Sequence, residues 1–472
     1  MSRAEAILVT LLCYKIALVG IGVWASRRTR NDSDFFLGGR RLGPWVAALS
    51  ASASSSSAWT LLGVSGAAYA WGLSALWLFP ATLSGFLINW LWIAPRLMKM
   101  SREGDSLTLT QFLAHDSAGR EHLTIVRLSS VVVLFSFMFY IAAQFQAAGN
   151  AFSSSFGLSA NSSIAIGVAI IVLYTLLGGF WAVSVTDTLQ GLLMVTAAVF
   201  LPLVVLVKVG GPVEMVQRLA ATLPPEGLSM TREYPGLLGL AFVLGTLGIG
   251  LGYPGQPHVV NRFMALRDPE ALRRGRLIAI AWAVLIYAGM LLLGLCGRLL
   301  WTIDNREQIF FEAANQTLAP ALAGIMTAAV LSAIMSTADS QLLVASSSIS
   351  LDWRGTKPSE SGQTHHGLSV TRIVVLCVSV IAMLIAMFAP AAIFSRVLFA
   401  WHALGAAFGP ALVLKLAGVR IHPRALIASI ATGFLLTVVL YLVPDTPGDA
   451  AERLIPLVFA TLAALAGRRR DH

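Results

Sequence analysis

Charge is what this 472-residue chain has least of. Asp, Glu, Lys and Arg make up 12% of it, about half the share of an ordinary soluble domain. With 57% hydrophobic residues, the chain cannot present a charged exterior to water, and lipid is the solvent for most of it. That excludes a cytosolic enzyme, a secreted domain and a disordered protein. Cysteine is scarce as well. Cys13, Cys296 and Cys377 all fall in apolar runs, form no CxxC pair and offer no disulfide framework. Acids number 23 against 33 bases, a net charge of +10. In a membrane protein such an excess marks cytoplasmic loops rather than a nucleic-acid partner. No phosphate-binding GxxxxGK loop is present and no connection exceeds about 30 residues, which leaves no room for a nucleotide-driven motor. The eight histidines make no metal cluster, His365 and His366 being expected in a polar loop, and no HExxH or paired catalytic groups suggest an enzyme.

What is abundant is apolar sequence in runs of membrane length. Thirteen runs approach the roughly 20 residues a spanning helix needs: 5–25, 43–71, 73–94, 125–156, 161–180, 186–208, 236–257, 277–300, 319–350, 371–389, 393–415, 425–443 and 453–467. The first lacks a small-residue cleavage site and contains Lys15, so it is read as a permanent helix rather than a signal peptide. Thirteen crossings put the termini on opposite sides. With the N-terminus outside, twenty-four basic residues fall in cytoplasmic segments and eight outside. That bias predicts N-out, C-in topology in a multi-pass protein of the cell membrane. The expected organisation is a first helix and loop (1–41), a ten-helix core (42–416) and two C-terminal helices with a short basic tail (417–472). The five residues after 467 are too few for a signalling domain.

Two runs are unsuited to straight helices. Positions 50–57 hold six serines. Hydroxyls can bond helix carbonyls and let a membrane helix open; they also serve as a small-residue packing face. Positions 245–257 hold five glycines and two prolines. Their spacing of mostly two favours unwinding over the i, i+4 repeat of close helix packing. The interrupted runs are the second and the seventh. Each therefore opens a five-helix half, about 42–208 and 236–416, and an odd number of helices inverts one half against the other. That is the pattern of secondary transporters whose site lies at mid-membrane where the broken helices meet.

The ninth run adds Ser332, Ser336, Thr337 and Ser340, hydroxyl ligands for a hard monovalent cation, with Asp339 on the same face as Ser336 at i, i+3. Asp187 and Asp339 are the acids expected in or at the edge of apolar runs. An intramembrane carboxylate is costly and marks function by default. A helix cap for Asp187 and a packing hydrogen bond for Asp339 are the structural alternatives.

These residues resemble those of the sodium/solute symporter family. Asp34, Phe35, Phe36, Leu37, Gly38, Gly39 and Arg40 match its opening signature. Gly178, Gly179, Phe180, Trp181, Ala182 and Val183, with Thr186, Asp187 and Gln190, continue the match. So do Gly252, Tyr253, Gly255, Gln256, Pro257 and His258, and then Met335, Ser336 and Thr337 through Ser340, Gln341, Leu342 and Leu343. The resemblance implies a thirteen-helix LeuT-type fold that couples sodium entry to solute uptake, without a cofactor. It places sodium on the carbonyls of Ala53, Ser56 and Ala333 and the hydroxyls of Ser336 and Thr337. It places the solute against Ser57, Trp59, Tyr140 and Tyr253. The intramembrane acids Asp187 and Asp339 are read separately, from their own setting, as a second cation site or exit path. The family's proline-transporting members carry an aspartate where this chain has Ser55 and a tryptophan where it has Ile249, which widens that wall of the pocket. The implied activity is alternating-access symport of a small solute, an amino acid such as proline. The alternatives are another solute, such as a carboxylate or vitamin, or a transporter-like sensor.

Overall fold

The computed structural model describes residues 3–26, 37–115, 122–176, 180–349 and 364–468. Asp34, Phe35, Phe36, Gly178 and Gly179 of the matched stretches lie outside the described residues, as do Arg27, Arg28, Arg30, Arg120, Arg354, Lys357, Arg469 and Arg470 of the charge count.

A helix coincides with each of the thirteen apolar runs. They are α1 (Arg3–Ser26), α2 (44–71), α3 (72–103), α4 (Leu123–Phe156), α5 (Ala160–Thr175), α6 (Phe180–Val209), α7 (Gly236–Gly255), α8 (Pro269–Leu300), α9 (Pro320–Ser347), α10 (Thr364–Phe388), α11 (Ile393–Leu416), α12 (Pro423–Tyr441) and α13 (Ala450–Ala466). Among the described residues, nine helical stretches are long and apolar enough to cross a bilayer, α2 and α3 counting as one, with shorter apolar helices at Ala160–Leu173 and Arg372–Phe388. Short helices at Leu109–Ala114, Pro212–Thr222, Pro257–Met264 and Ile309–Thr317 lie between them. No strand forms among the described residues.

The helix starts follow local chemistry. Proline stands at the first position of α2, α8, α9 and α12, where its missing N–H would have no partner anyway. Asp268 caps α8 by accepting from the Ala271 N–H at 2.7 Å. Several boundaries differ from expectation: α3 runs on to Glu103 rather than 94, and α8 starts at Pro269 rather than 277. Helix α6 begins at Phe180 rather than 186, because Ser184, Thr186 and Asp187 are buried against protein, where polarity does not end a helix. Helix α10 begins at Thr364, so His365 and His366 fall in a helix rather than a loop.

Burial separates centre from rim. The most apolar stretches of α9 and α11 are 83% and 89% buried; those of α1 and α12 are 22% and 28%. The inner half of α2 packs against α6, α8 and α9, while the break in α7 packs against α11 and α3. The strand-like residue before α2 is tied to the chain after α7: the Leu42 N–H donates to the Ala265 carbonyl at 3.1 Å, and the Arg267 N–H to the Leu42 carbonyl at 2.9 Å. The two interrupted helices are thus fastened together at one end.

Candidate functional site: two broken helices around a closed aromatic cage

Helix α2 breaks at Ser57. Its φ of 55° and ψ of −175° lie where L-residues are strained by about 1–3 kcal/mol. The break frees two N–H groups. That of Ala58 donates to Oε1 of Gln144 on α4 at 3.0 Å, and that of Trp59 to the Ser57 hydroxyl at 3.1 Å. Beyond the break, the Thr60 hydroxyl donates to the Ser56 carbonyl at 2.6 Å and shares a hydrogen bond with Tyr287 of α8 at 3.3 Å. A π-helical turn, Trp59–Val64, then carries the helix on.

Helix α9 faces the inner half of α2 with its hydroxyls. Thr337 donates to the Ser54 carbonyl at 3.1 Å, and Ser54 donates back to the Ser336 carbonyl at 3.2 Å. Ser336 donates to the Ala333 carbonyl at 3.2 Å. Ala53 is fully buried beside Gly191 of α6. The hydroxyl oxygens of Ser52 and Ser56 are buried without a hydrogen-bond partner among the described residues. Ser55 bonds only within its own helix, to the Ser52 carbonyl at 3.0 Å. Buried oxygen groups with unused lone pairs are the donor set that suits a hard cation.

Helix α7 breaks by a different route. Regular helix ends at Gly248, and a tight 3-10 turn runs over Ile249–Gly255. Its carbonyls are taken up by side chains of other helices. Asn89 of α3 donates to the Tyr253 carbonyl at 3.3 Å, and the Trp401 indole of α11 to the Ile249 carbonyl at 3.3 Å. Gln256 bridges the Gly252 and Trp401 carbonyls at 3.0 and 2.8 Å.

Both breaks open onto one group of rings. Tyr253 packs on Trp401 (centroids 4.6 Å apart) and Phe86 (5.4 Å), and its hydroxyl meets that of Tyr287 at 3.1 Å. Trp59 lies 5.6 Å from Phe394 and 6.4 Å from Tyr287, and Tyr140 lies 6.4 Å from Trp401. The structure therefore brings Trp59, Tyr140 and Tyr253 together with Ser57 at the break. Ile249 joins through its carbonyl on Trp401. All five are at most 4% exposed, so the ring cluster is buried inside the protein.

The two intramembrane acids occupy different places. Asp187 is wholly buried seven residues into α6, away from any interfacial cap. One carboxylate oxygen accepts from Ser50 (2.8 Å), Ser54 (3.2 Å) and Arg262 (2.9 Å). Arg262 also donates to Ser50 at 2.7 Å and Ser340 at 2.5 Å. The charge pattern puts Arg262 in a cytoplasmic loop; instead it is 2% exposed on the short helix Pro257–Met264, where the ion pair absorbs its charge. Asp339 does not share the bonding of Ser336. It accepts from Thr175 of α5, and Lys15 of α1 meets Met335, one turn before it on α9. Residues at i and i+3 diverge by about 60° around a helix, enough to aim one at α2 and the other at α5.

Gln144, Tyr287, Trp401 and Arg262 are the side chains here that the sequence pattern does not single out. Arg262 stands one helical turn after His258, the last residue of a matched stretch, and Gln144 is the first amide side chain in the 125–156 run. Those two features are the signals by which both residues could be found.

Helices of membrane length, two of them broken beside one buried cluster of hydroxyls, carbonyls and rings, define a secondary transporter of LeuT-type fold. The backbone superposes on a Na+-coupled sialic acid symporter with a TM-score of 0.80 at 16% identity, over 99% of both chains. It also superposes on MHP1, a nucleobase-cation-symport-1 family transporter, with a TM-score of 0.57 at 14% identity over 93% of this chain and 95% of that one. At these identities the likeness is one of fold. The sodium:solute symporter family matches residues 35–433, and this chain belongs to that family. It is 35% identical to the high-affinity proline transporter PutP of Bacillus subtilis over 92% of this chain and 93% of the relative. To the osmoregulated proline transporter OpuE of the same organism it is 34% identical, over 90% and 87%. It is likewise 34% identical to the sodium/proline symporter of Escherichia coli, over 93% and 88%. The protein is a multi-pass membrane symporter driven by sodium, not an enzyme.

Proposed function

We propose that this symporter imports proline or a close chemical relative, one solute-sized occupant being held in the cage between the two breaks. The observation that supports it is the buried ring cluster beside both breaks, found in a chain that matches proline transporters over about nine-tenths of its length. Sodium lies between α2 and α9 on the carbonyls of Ala53, Ser56 and Ala333 and the hydroxyls of Ser336 and Thr337. The solute carboxylate faces the Ser57 break at the start of the outer half of α2, where the helix dipole favours an anion. Its apolar body packs on Trp59, Tyr140 and Tyr253. Ile249 in place of a larger ring admits solutes wider than proline.

With the N-terminus outside, Asp187 and Arg262 stand on the cytoplasmic side of the Ser57 break. Their ion pair, with Ser50, Ser54 and Ser340, closes the route inward in this conformation, and its opening releases sodium past Asp187. The test is uptake into proteoliposomes under an imposed inward sodium gradient, with a panel of radiolabelled solutes that includes proline. Proline accumulation that collapses with the gradient is the expected result. Accumulation indifferent to sodium, or binding without accumulation as a sensor would give, sinks the proposal.

A further inference from the structure

Asp187 is ion-paired with Arg262, and a second intramembrane base, Lys15, has no part in the mechanism above. Lys15 lies at the middle of α1, with eleven or twelve residues to either end. That is about 17 Å of helix, beyond the reach of a lysine stem to either headgroup region. Leu8, Leu12 and Ile16 of α1 are exposed toward lipid, whereas Lys15 is half-buried and its ammonium meets the Met335 sulfur of α9. The neighbouring Tyr14 bonds to Ser332, one turn back along α9. Asp339 is one turn past Met335 and wholly buried. One of its oxygens accepts from Thr175; the other has no hydrogen-bond partner among the described residues.

A carboxylate in this setting requires a cation. In a sodium symporter the cation could come from solution, since Ser336 and Thr337 lie only three and two residues away on the same helix. Here one is already attached to the chain. We infer that Lys15 is a tethered counter-cation that holds the electrostatic place of a second sodium ion at Asp339, so that a single sodium is bound per cycle. Asp187 has its own base in direct contact, Arg262 at 2.9 Å. Each buried acid on the path thus has a resident base, and neither is left to recruit a further ion. The inference rests on the sodium-coupled reading of the α2–α9 site.

The test uses the purified full-length protein, melted across a series of sodium concentrations with choline holding ionic strength constant. Above saturation each bound ion adds stabilisation in proportion to the logarithm of its concentration. Lys15→Met keeps the bulk and removes the charge, leaving Asp339 to take a second sodium. The rise in Tm per tenfold sodium should about double relative to the unmodified protein. The ratio of sodium to solute taken up in proteoliposomes should rise from one toward two. Lys15→Met/Asp339→Asn should return the slope to its original value and recover the Tm lost by Lys15→Met in sodium-free buffer. An unchanged slope in Lys15→Met beside a sodium-responsive parent overturns this inference alone. A parent that ignores sodium removes the sodium reading and this inference together. If Lys15→Met cannot be purified, recovery in the double variant supports the inference, and failure to recover overturns it.

Discussion

Helices α2 and α7 both abandon regular hydrogen bonding near the middle, by opposite means. In α2 one serine takes a backbone conformation suited to glycine, and the groups it frees are capped from elsewhere: Gln144 of α4 on the Ala58 N–H, Thr337 of α9 on the Ser54 carbonyl. In α7 the break is written into composition, with glycine and proline relaxing seven residues into a tighter turn. Those glycines also let neighbours come close. A methyl added at Gly250 would lie 2.3 Å from the Ala81 carbonyl of α3, and one at Gly252 would lie 2.5 Å from the Trp401 ring. Both breaks are held by side chains distant in sequence, and the second is fixed in addition by the absence of side chains at its glycines. A bond to a distant partner can be made and lost during a transport cycle, whereas a missing Cβ is permanent. On this comparison α2 is the adjustable half of the site and α7 the fixed wall.

The largest expected effect tests the fixed wall. Gly250→Ala must separate α7 from α3, an overpacking of about 1–3 kcal/mol. Uptake should fall to background with a lowered Tm. Gly409→Ala, where an added methyl meets nothing closer than 3.9 Å, should transport normally. Equal activity in the two variants would contradict a wall defined by close approach.

The adjustable half is tested by removing its caps. Gln144→Leu leaves the Ala58 N–H buried without an acceptor, at about 1–3 kcal/mol. Apparent solute affinity should weaken by about tenfold to a hundredfold, with Gln144→Glu, which keeps the acceptor, much closer to the parent. Wild-type affinity in the leucine variant would mean that Gln144 does not hold the break. Thr337→Ala removes the contact from α9 and, on the proposed site, one sodium ligand. Half-saturation by sodium should rise by a similar tenfold to hundredfold, and an unchanged sodium dependence of uptake would place the ion elsewhere.

The smallest effect concerns selectivity. Ile249→Trp fills the wall of the cage with a ring, so larger solutes should lose about tenfold in kcat/KM relative to proline. An unaltered solute profile in competition assays would put Ile249 outside the pocket. Its carbonyl is already bonded to Trp401, so the variant changes the side chain facing the cage without removing the bond that sets the turn.

Much of this architecture is legible in the sequence. Apolar runs locate the helices because a bilayer has one thickness and requires every backbone group to be bonded within the span. Serine and glycine clusters locate the breaks because both relax a helix locally. Legibility ends where a polar residue is judged by its own sequence neighbourhood. Arg262 lies in a basic stretch that reads as loop, yet its guanidinium is buried on Asp187, 75 residues away. Arg453 opens the last apolar run, and it is buried on α13 with hydrogen bonds to Asp449 and the Gly245 carbonyl. Spacing alone assigns Asp339 to the face of Ser336, but its neighbours Thr175 and Lys15 are 164 and 324 positions distant.

The solvent, the helices, the two interruptions and the family all follow from the chain read as a string of residues. Each depends on composition or spacing within a few turns of chain, and hydropathy and backbone freedom act at that range. Packing in three dimensions settles the rest: which carboxylate meets which base, which rings close the cage and which side chains cap the Ser57 break. Those pairings join α1 to α9, α6 to the Pro257–Met264 helix and α2 to α4. In a low-dielectric interior a buried charge or N–H must find its partner wherever packing delivers one, and local sequence does not specify where that is.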